Sequence, residues 1–510
     1  MQNFDTLNIL IQAIQELLKK DYQISFQDSD KSYRQIASCV QQLSDYYIQN
    51  PNGSTPWHEK WTQISYLAYY LPLNYVRAER VFTKAQQLGF FNIHSQLENT
   101  DIKSKASAKD LVQNDRQDRD NALANIAANV VDFGSGLGSG TWPLFLNASG
   151  SLRPSSATAS SSTAAASSTA TASSSSSYGA IPFTDFSFIE VSTDAQKLHQ
   201  KLFNYLQNTI KDLDHLVINN VTANTISNIE NKKNNKQANN RLSLSHNRTL
   251  NWYSDINSAM TLPVNSTLSS TMNSSMNSKT NSSSKKIINK NTFAFFSYSL
   301  TELASIPNWA LDCEGLVIIE PSTNQDARRL MAWRDLLLSK GFHIWGPCLH
   351  EEACPLLTES KKDWCHDRID FQQRPESFKK IESFLPFKNE SLTCSYILAR
   401  KTPRPSTMLA SAIAVAAVSA SASAAEASAV ELEVARVTGD LLNEKGKSRQ
   451  LICRGPKREF LTWMHKNGEP QQIPRGELIL LPQNLQTVSN ELRIVGDNEN
   501  SITVLTDDRQ

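Results

Sequence analysis

The chain has 510 residues and a formal net charge of +1, with 51 Lys and Arg against 50 Asp and Glu. No global field therefore draws it to nucleic acid, and any such binding must come from a local basic face. The length allows two or three domains, and seven cysteines, an odd number, with no secretory pattern at the start argue against a disulfide framework and for a reducing compartment.

The opening MQNFDTLNILIQAIQELLKKDYQ is an amphipathic helix that carries Asp5 and Glu16. A transit peptide is richer in arginine and poorer in acid, so the expected location is cytoplasmic, with the mitochondrial matrix as the alternative. Apolar residues recur at three and four through ILIQAIQELL, IASCVQQLSDYYI and ISYLAYYL, with Pro51, Pro56 and Pro72 as punctuation, which predicts a helical N-terminal domain over 1–120. Tyr66, Tyr69, Tyr70 and Tyr75 could stack on bases, but at helical spacing they read as core.

ANVVDFGSGLGSGTW, from Ala128 to Trp142, reads as a buried strand, a glycine turn and a helix, the opening of a dinucleotide-type or S-adenosylmethionine-type α/β domain. Gly134, Gly136 and Gly138 let the backbone approach a ligand, and Asp132 ends the strand. FSFIEVS supplies a second strand with Glu190 placed to grip ribose hydroxyls. NWYSDI brings Asp255 on a third strand, as an adenine-contacting acid. NTFAFFSYSLTEL and EGLVIIEP are strands four and five, a helix follows from Asn324 to Lys340, and FHIWG and LTCSYILAR form a terminal strand pair. This order predicts a class I methyltransferase, Rossmann-like domain over 121–404.

Three low-complexity blocks interrupt it: Ser/Ala at 149–177, Asn/Ser at 219–290 and Ala/Ser within the linker 405–430. They hold too few large apolar residues to offset ordering entropy and read as surface insertions. MLASAIAVAAVSASASAA has little transfer energy and is followed by Glu426, so no membrane span is expected. A β-rich C-terminal module, 431–510, closes the chain. Within it Lys445, Lys447, Arg449, Arg454, Lys457 and Arg458 crowd together, as a solvated strand face or a phosphate-contacting patch.

Between the last two strands of the α/β domain, Gly341–Arg368 packs three of the seven cysteines and three of the nine histidines. Cys348, Cys354 and Cys365 share this polar, proline-bearing segment, with the cysteine loop proper at 346–368. Soft thiolates at short spacing select zinc or iron–sulfur centres. Because the loop is an excursion at one sheet edge, it is expected to stand apart from the glycine-loop pocket.

The stretches YLAYYLPLNY, DFGSGLG, SYSLTEL, LVIIEPST and PCLHEEACPLLTESKKDWCH resemble the methyltransferase-like assembly-factor family of the small ribosomal subunit, mitochondrial proteins with bacterial relatives. The resemblance runs from about Tyr66 to about Gly468, broken by the insertions. It implies a four-iron four-sulfur cluster on four cysteines, three in the loop and one further on. The candidates for the fourth ligand are Cys453, Cys394, His350 and His366. Comparison with relatives makes Cys394 a core residue and, once the Ala/Ser run is removed, favours Cys453. Cys39 and Cys313 also read as core. Where relatives tend to read Cys-Pro-His-Asp, this chain has Cys348-Leu349-His350, so only the cysteines and His350 carry over. A radical S-adenosylmethionine enzyme does not fit, because its tighter cysteine group is absent.

The resemblance also turns the basic tail toward ribosomal RNA. The Asn/Asp-Pro-Pro-aromatic motif of base-nitrogen methyltransferases is replaced by SYSLTEL, which leaves Tyr298 and Glu302 as acid or base candidates. The expected protein is thus a monomeric small-subunit assembly factor that binds S-adenosylmethionine, an iron–sulfur cluster and ribosomal RNA. An active RNA methyltransferase and a structural zinc module with a vestigial cofactor pocket are the rivals.

Overall fold

The computed structural model describes residues 4–26, 30–50, 53–92, 128–147, 183–209, 216–219, 248–255, 291–303, 305–405, 433–482, 485–496 and 502–505. The 149–177 and 407–430 runs, most of 219–290, and the end of the expected helical region at 93–120 lie outside them. So does the apolar stretch 408–425; among the described residues no helix is long and apolar enough to cross a membrane.

The chain begins with α1 (Phe4–Tyr22), α2 (Asp30–Gln49), α3 (Lys60–Ser65) and α4 (Leu71–Gln87). Leu7, Leu10, Ile14, Leu17 and Leu18 form the buried stripe of α1, the spacing that places side chains on one helical face. Pro72 does not end a helix as expected. A π turn over Tyr66–Tyr70 precedes it, where the Leu71 N–H bonds the Tyr66 carbonyl, and this wider turn relieves the clash a proline ring makes with the preceding turn. Tyr69 and Tyr75 are buried and donate to Glu382 Oε1 (3.0 Å) and Thr6 Oγ1 (2.8 Å).

The central sheet has β1 (Ala128–Phe133), β2 (Phe183–Ile189), β3 (Leu216–Asn219), β4 (Arg248–Tyr253), β5 (Thr292–Ser297), β6 (Gly315–Glu320), β7 (His343–Gly346) and β9 (Ser391–Arg400), in the order β3-β4-β2-β1-β5-β6-β9-β7. The first six in that order are parallel, and β9 is antiparallel to β6 and β7. A short β8 (Asp367–Asp370) also pairs with β9. This is a mixed α/β, parallel-rich sheet compatible with a Rossmann-like fold. β3 and β8 went unread in the sequence, the first at the edge of the Asn/Ser block and the second, DRID, with a single apolar residue at the end of the cysteine loop.

Both faces of the sheet are covered, which is why β5 and β6 are apolar without interruption. Phe293 and Phe295 point to the N-terminal helices, where Phe295 meets Phe82 with ring centroids 5.5 Å apart. Ala294 and Phe296 point to the opposite face, against Leu330, Trp333 and Leu337 of the helix Asn324–Ser339, here α7 after α5 (Trp142–Asn147) and α6 (Thr193–Thr209). Burial of one such phenylalanine contributes about 2–3 kcal/mol. The N-terminal helices therefore share one core with the sheet instead of closing on a core of their own.

The tail folds as a second sheet, β14-β15-β12-β11-β10-β13-β16, from β10 (Val434–Glu444), β11 (Lys447–Cys453), β12 (Glu459–Met464), β13 (Leu478–Leu480), β14 (Leu485–Val488), β15 (Glu491–Ile494) and β16 (Thr503–Val504). Ala435, Val437, Ile452, Leu461, Trp463 and Ile479 fill its core. The tail meets the rest of the chain where Leu451 and Phe460 pack on Met331, Cys354 and Leu356.

Candidate metal centre and cofactor crevice

Three strands and a helix bring the cysteines together. Cys348 follows β7, Cys354 stands at the N-cap of a single helical turn, Pro355–Thr358, and Cys365 precedes β8, while Cys453 ends β11. All four line one cavity of ≈ 40 Å³, several times the room a single water needs. Its floor is one face of α7, where Ala327, Leu330, Met331 and Arg334 recur at i, i+3, i+4 and i+7. Cys394 and Cys313 are fully buried in the cores on the two faces of the sheet, and Cys39 packs at the edge of the N-terminal core.

The loop has little regular structure, so its carbonyls need outside donors. Arginines provide them. Arg334 donates to the carbonyls of His350 (2.7 Å) and Glu352 (2.9 Å). Arg328 reaches those of Leu356 and Asp363, and Arg475 that of Trp364. Arg404 donates to Trp345 and Leu349. The loop is thereby fixed before any ligand is considered.

Burial pushes the Cys354 thiol up to about 12, and neighbouring Cys348 and Cys365 push in the same direction. Burial raises Cys348 too, opposed by the Arg334 guanidinium beside it. Four thiolates in this cavity would repel one another, so the donor set fits a bound cationic centre that supplies the missing positive charge. Cys453 Sγ lies 3.5 Å from His350 Nε2, while the buried Nδ1 atoms of His350 and His366 have no partner among the described residues. Among the described residues no three His, Cys, Asp or Glu side chains converge tightly enough for a single ion; the thiols ring the cavity instead.

A buried ion network ties this region to the N-terminal helices. Lys84 of α4 meets Asp367 Oδ2 at 2.6 Å and the Gly476 carbonyl at 2.8 Å, and Arg436 of β10 pairs with the other Asp367 oxygen. Burial opposes the Asp367 charge, yet Arg436 and Lys84 hold its carboxyl down to about 2. Gly476 sits at φ +94°, and a Cβ there would lie 2.4 Å from Asp367 Oδ1, so only glycine permits the approach. Charge and packing thus also hold the tail.

The second candidate site lies at the C-terminal ends of β1, β2, β4, β5 and β6, the crevice where open α/β sheets bind ligands. Asp132, Gly134, Gly136, Gly138 and Glu190 meet there. Gly136 N–H and Ser192 N–H each donate to Glu190 at 2.8 Å, and the Trp57 ring lies against Gly136. Asp255 follows β4 at the same sheet end, since Tyr253 pairs with Ile189. Asp132 accepts from Thr141 Oγ1 at 3.0 Å on one oxygen, and its other oxygen is buried without a partner among the described residues. Burial, and then Glu190, raise this carboxyl to about 7 despite the Thr141 bond.

Ser135, Ser297, Ser299 and Glu320 also bury oxygens here that have no partner among the described residues, and the sequence reading gave them no role. The open acceptors and hydroxyls fit a polar ligand end on the Asp132 side, while Glu190 would have to exchange its amide partners to grip a ribose. Tyr298 adopts φ +59° and buries its hydroxyl without a partner among the described residues. Glu302 is exposed, its carboxyl raised by partial desolvation and then by Glu190.

The basic tail is largely neutralised. Lys447 pairs with Glu491 and Glu444, Arg449 with Glu444, Arg454 with Glu433 and Glu459, and Arg458 with Asp363 at 2.7 Å. Lys445 and Lys457 are exposed and make no ion pair among the described residues. Sequence spacing collected the cations; strand pairing supplied their carboxylates.

No curated protein matches the chain. A family model does match, and its description, mitochondrial small ribosomal subunit Rsm22, names an organelle and an assembly. The description supports the mitochondrial alternative, and the cytoplasmic expectation is not supported. The apolar stripe of the opening helix is used by the core, so its composition could not decide compartment. The match spans 258–446, which includes β5 to β9 and the cysteine loop; the glycine loop and Cys453 fall outside it. Over 258–446 the chain matches the Rsm22 family of the mitochondrial small ribosomal subunit, the small-subunit family that its motifs resemble.

Proposed function

We propose that this chain acts in assembly or translation by the mitochondrial small ribosomal subunit, as a monomeric methyltransferase-like protein that holds a four-iron four-sulfur cluster, binds S-adenosylmethionine and contacts ribosomal RNA. The observation that carries the reading is the shared cavity of Cys348, Cys354, Cys365 and Cys453, drawn from a loop and from a strand of a different sheet. In a four-iron centre each cysteine holds its own iron, so thiols spaced around a void suit it. A single zinc asks all four sulfurs to meet about 2.3 Å from one point.

When bound, the cluster supplies a cross-link between the α/β sheet and the tail, and part of its binding free energy is folding energy. The chain's own residues fix the ligands: α7 forms the floor, and arginines hold the loop carbonyls. At the other site, S-adenosylmethionine would supply a methyl group. Asp132 and the serine hydroxyls would hold the ligand's polar end, and the Trp57 ring would cover the glycine loop. The class I methyltransferase strand order supports that placement. Of the six cations singled out in the tail, Lys445 and Lys457 are the two left open to phosphate among the described residues.

The test is iron and sulfide per chain, with visible absorbance, on anaerobically purified protein. Cys453→Ser should lower iron and expose the tail to limited proteolysis, whereas Cys394→Ser should leave iron unaltered. Stoichiometric zinc without a chromophore favours the structural zinc reading. Iron lost with Cys394→Ser but kept with Cys453→Ser overturns the ligand set. Loss of a mapped small-subunit RNA methylation on gene deletion favours an active enzyme.

A further inference from the structure

Two buried arginines line the cysteine cavity, Arg334 from α7 and Arg436 from β10, at 2 % and 3 % exposure. Both are held in place by their terminal nitrogens. Arg334 uses them on Asp335 and on the His350 and Glu352 carbonyls. Arg436 uses them on Asp367 and the Gly476 carbonyl, at 2.9 Å. In each, however, the Nε–H is buried and has no partner among the described residues. An unsatisfied buried donor on a cationic group is costly, and two of them in the lining of one small cavity need an acceptor there.

We propose that Arg334 and Arg436 are charge-balancing and positioning residues for the cysteine-held centre, offering their free Nε–H groups to its sulfurs and raising its reduction potential. The inference rests on the iron–sulfur reading above. A four-thiolate cluster in its oxidised form carries a net double negative charge, and one electron makes it triple with no bond formed or broken. Cluster charge and hydrogen bonds to sulfur are what set such potentials. Two fixed guanidinium charges in a water-poor cavity stabilise the more negative state, because the interaction is little screened there. Asp335 sits half in solvent, so it offsets little of the Arg334 charge, and Arg436 shares Asp367 with Lys84.

The experiment is an anaerobic dithionite titration of full-length protein followed by electron paramagnetic resonance, after iron and sulfide have been counted. Arg334→Gln and Arg436→Gln should each lower the midpoint potential by an amount equal to about a tenfold change in the reduction equilibrium, ~59 mV for one electron. Arg334→Lys, which keeps the charge and loses the Nε–H, should fall between Arg334→Gln and wild type. Should Arg334→Gln fold but lose its iron, retention in Arg334→Lys supports the charge-balance role and loss from both overturns it. Unchanged potentials in iron-replete Arg334→Gln and Arg436→Gln overturn the inference alone. A wild-type protein with no iron overturns the cluster reading beneath it.

Discussion

Glu320 ends β6 inside the LVIIEPST stretch, is 1 % exposed, and uses only Oε1, which accepts the Leu300 N–H at 3.0 Å. Its other oxygen is buried without a partner among the described residues. Burial raises its carboxyl from 4.5 to about 8, against the pull of the Leu300 amide and Arg329. Below pH 4.5 the folded and unfolded chains both keep the proton and nothing is lost. Between 4.5 and about 8 the unfolded chain releases it while the folded chain holds it, so stability falls as pH rises. Above 8 both are ionised and the full cost, about 5 kcal/mol, has accrued. Glu320→Gln keeps the acceptor for Leu300 and cannot ionise, so it should remove this slope. Urea unfolding from pH 5 to 8.5 reads it: the variant should gain roughly 3–5 kcal/mol on wild type across that interval. Curves that stay parallel within about 1 kcal/mol would refute the claim that burial keeps Glu320 protonated.

Asp367→Asn leaves Lys84 and Arg436 buried without their shared carboxylate, and should cost about 3–5 kcal/mol in thermal or denaturant melts; a loss under about 1 kcal/mol would remove the network from the account of how the tail is held. Gly136→Arg puts a side chain on a backbone at φ +50° whose Cβ would lie 3.3 Å from the Trp57 ring, so calorimetry should show S-adenosylmethionine affinity lost. An unchanged affinity in a variant that still melts cooperatively would move the pocket elsewhere. Lys445→Glu with Lys457→Glu should weaken ribosomal RNA binding and flatten its salt dependence. Reversing the paired Arg449 and Arg454 should do less to the slope, and an equal effect would argue that the ion pairs open on binding.

The residues themselves determined a good deal. Continuous apolar runs in β5 and β6 announced strands covered on both faces, and the glycine turn after Asp132 announced a strand-to-helix crossover. These signals are local: a strand's alternation and a turn's backbone conformation are set by neighbours in the chain. The density of thiols at 348–365 was equally legible, because metal-type ligands are a matter of residue kind and spacing.

What only the tertiary structure decided lies between elements far apart in the chain. That Cys453 shares a cavity with the loop depends on how β11 docks against α7. Whether six cations form an open patch depended on carboxylates such as Glu491 and Asp363, which arrive from other strands and from the loop. Arg334 left a trace in the sequence, a cation inside an otherwise apolar helical stripe, but its partners did not. Glu320 at a strand end could have been solvated, and it is desolvated because β6 lies between β5 and β9 and the turn at Leu300 closes on it. Burial and charge pairing are properties of surfaces brought together by folding, so a pattern read along one segment shows which face will be buried and not what it will meet.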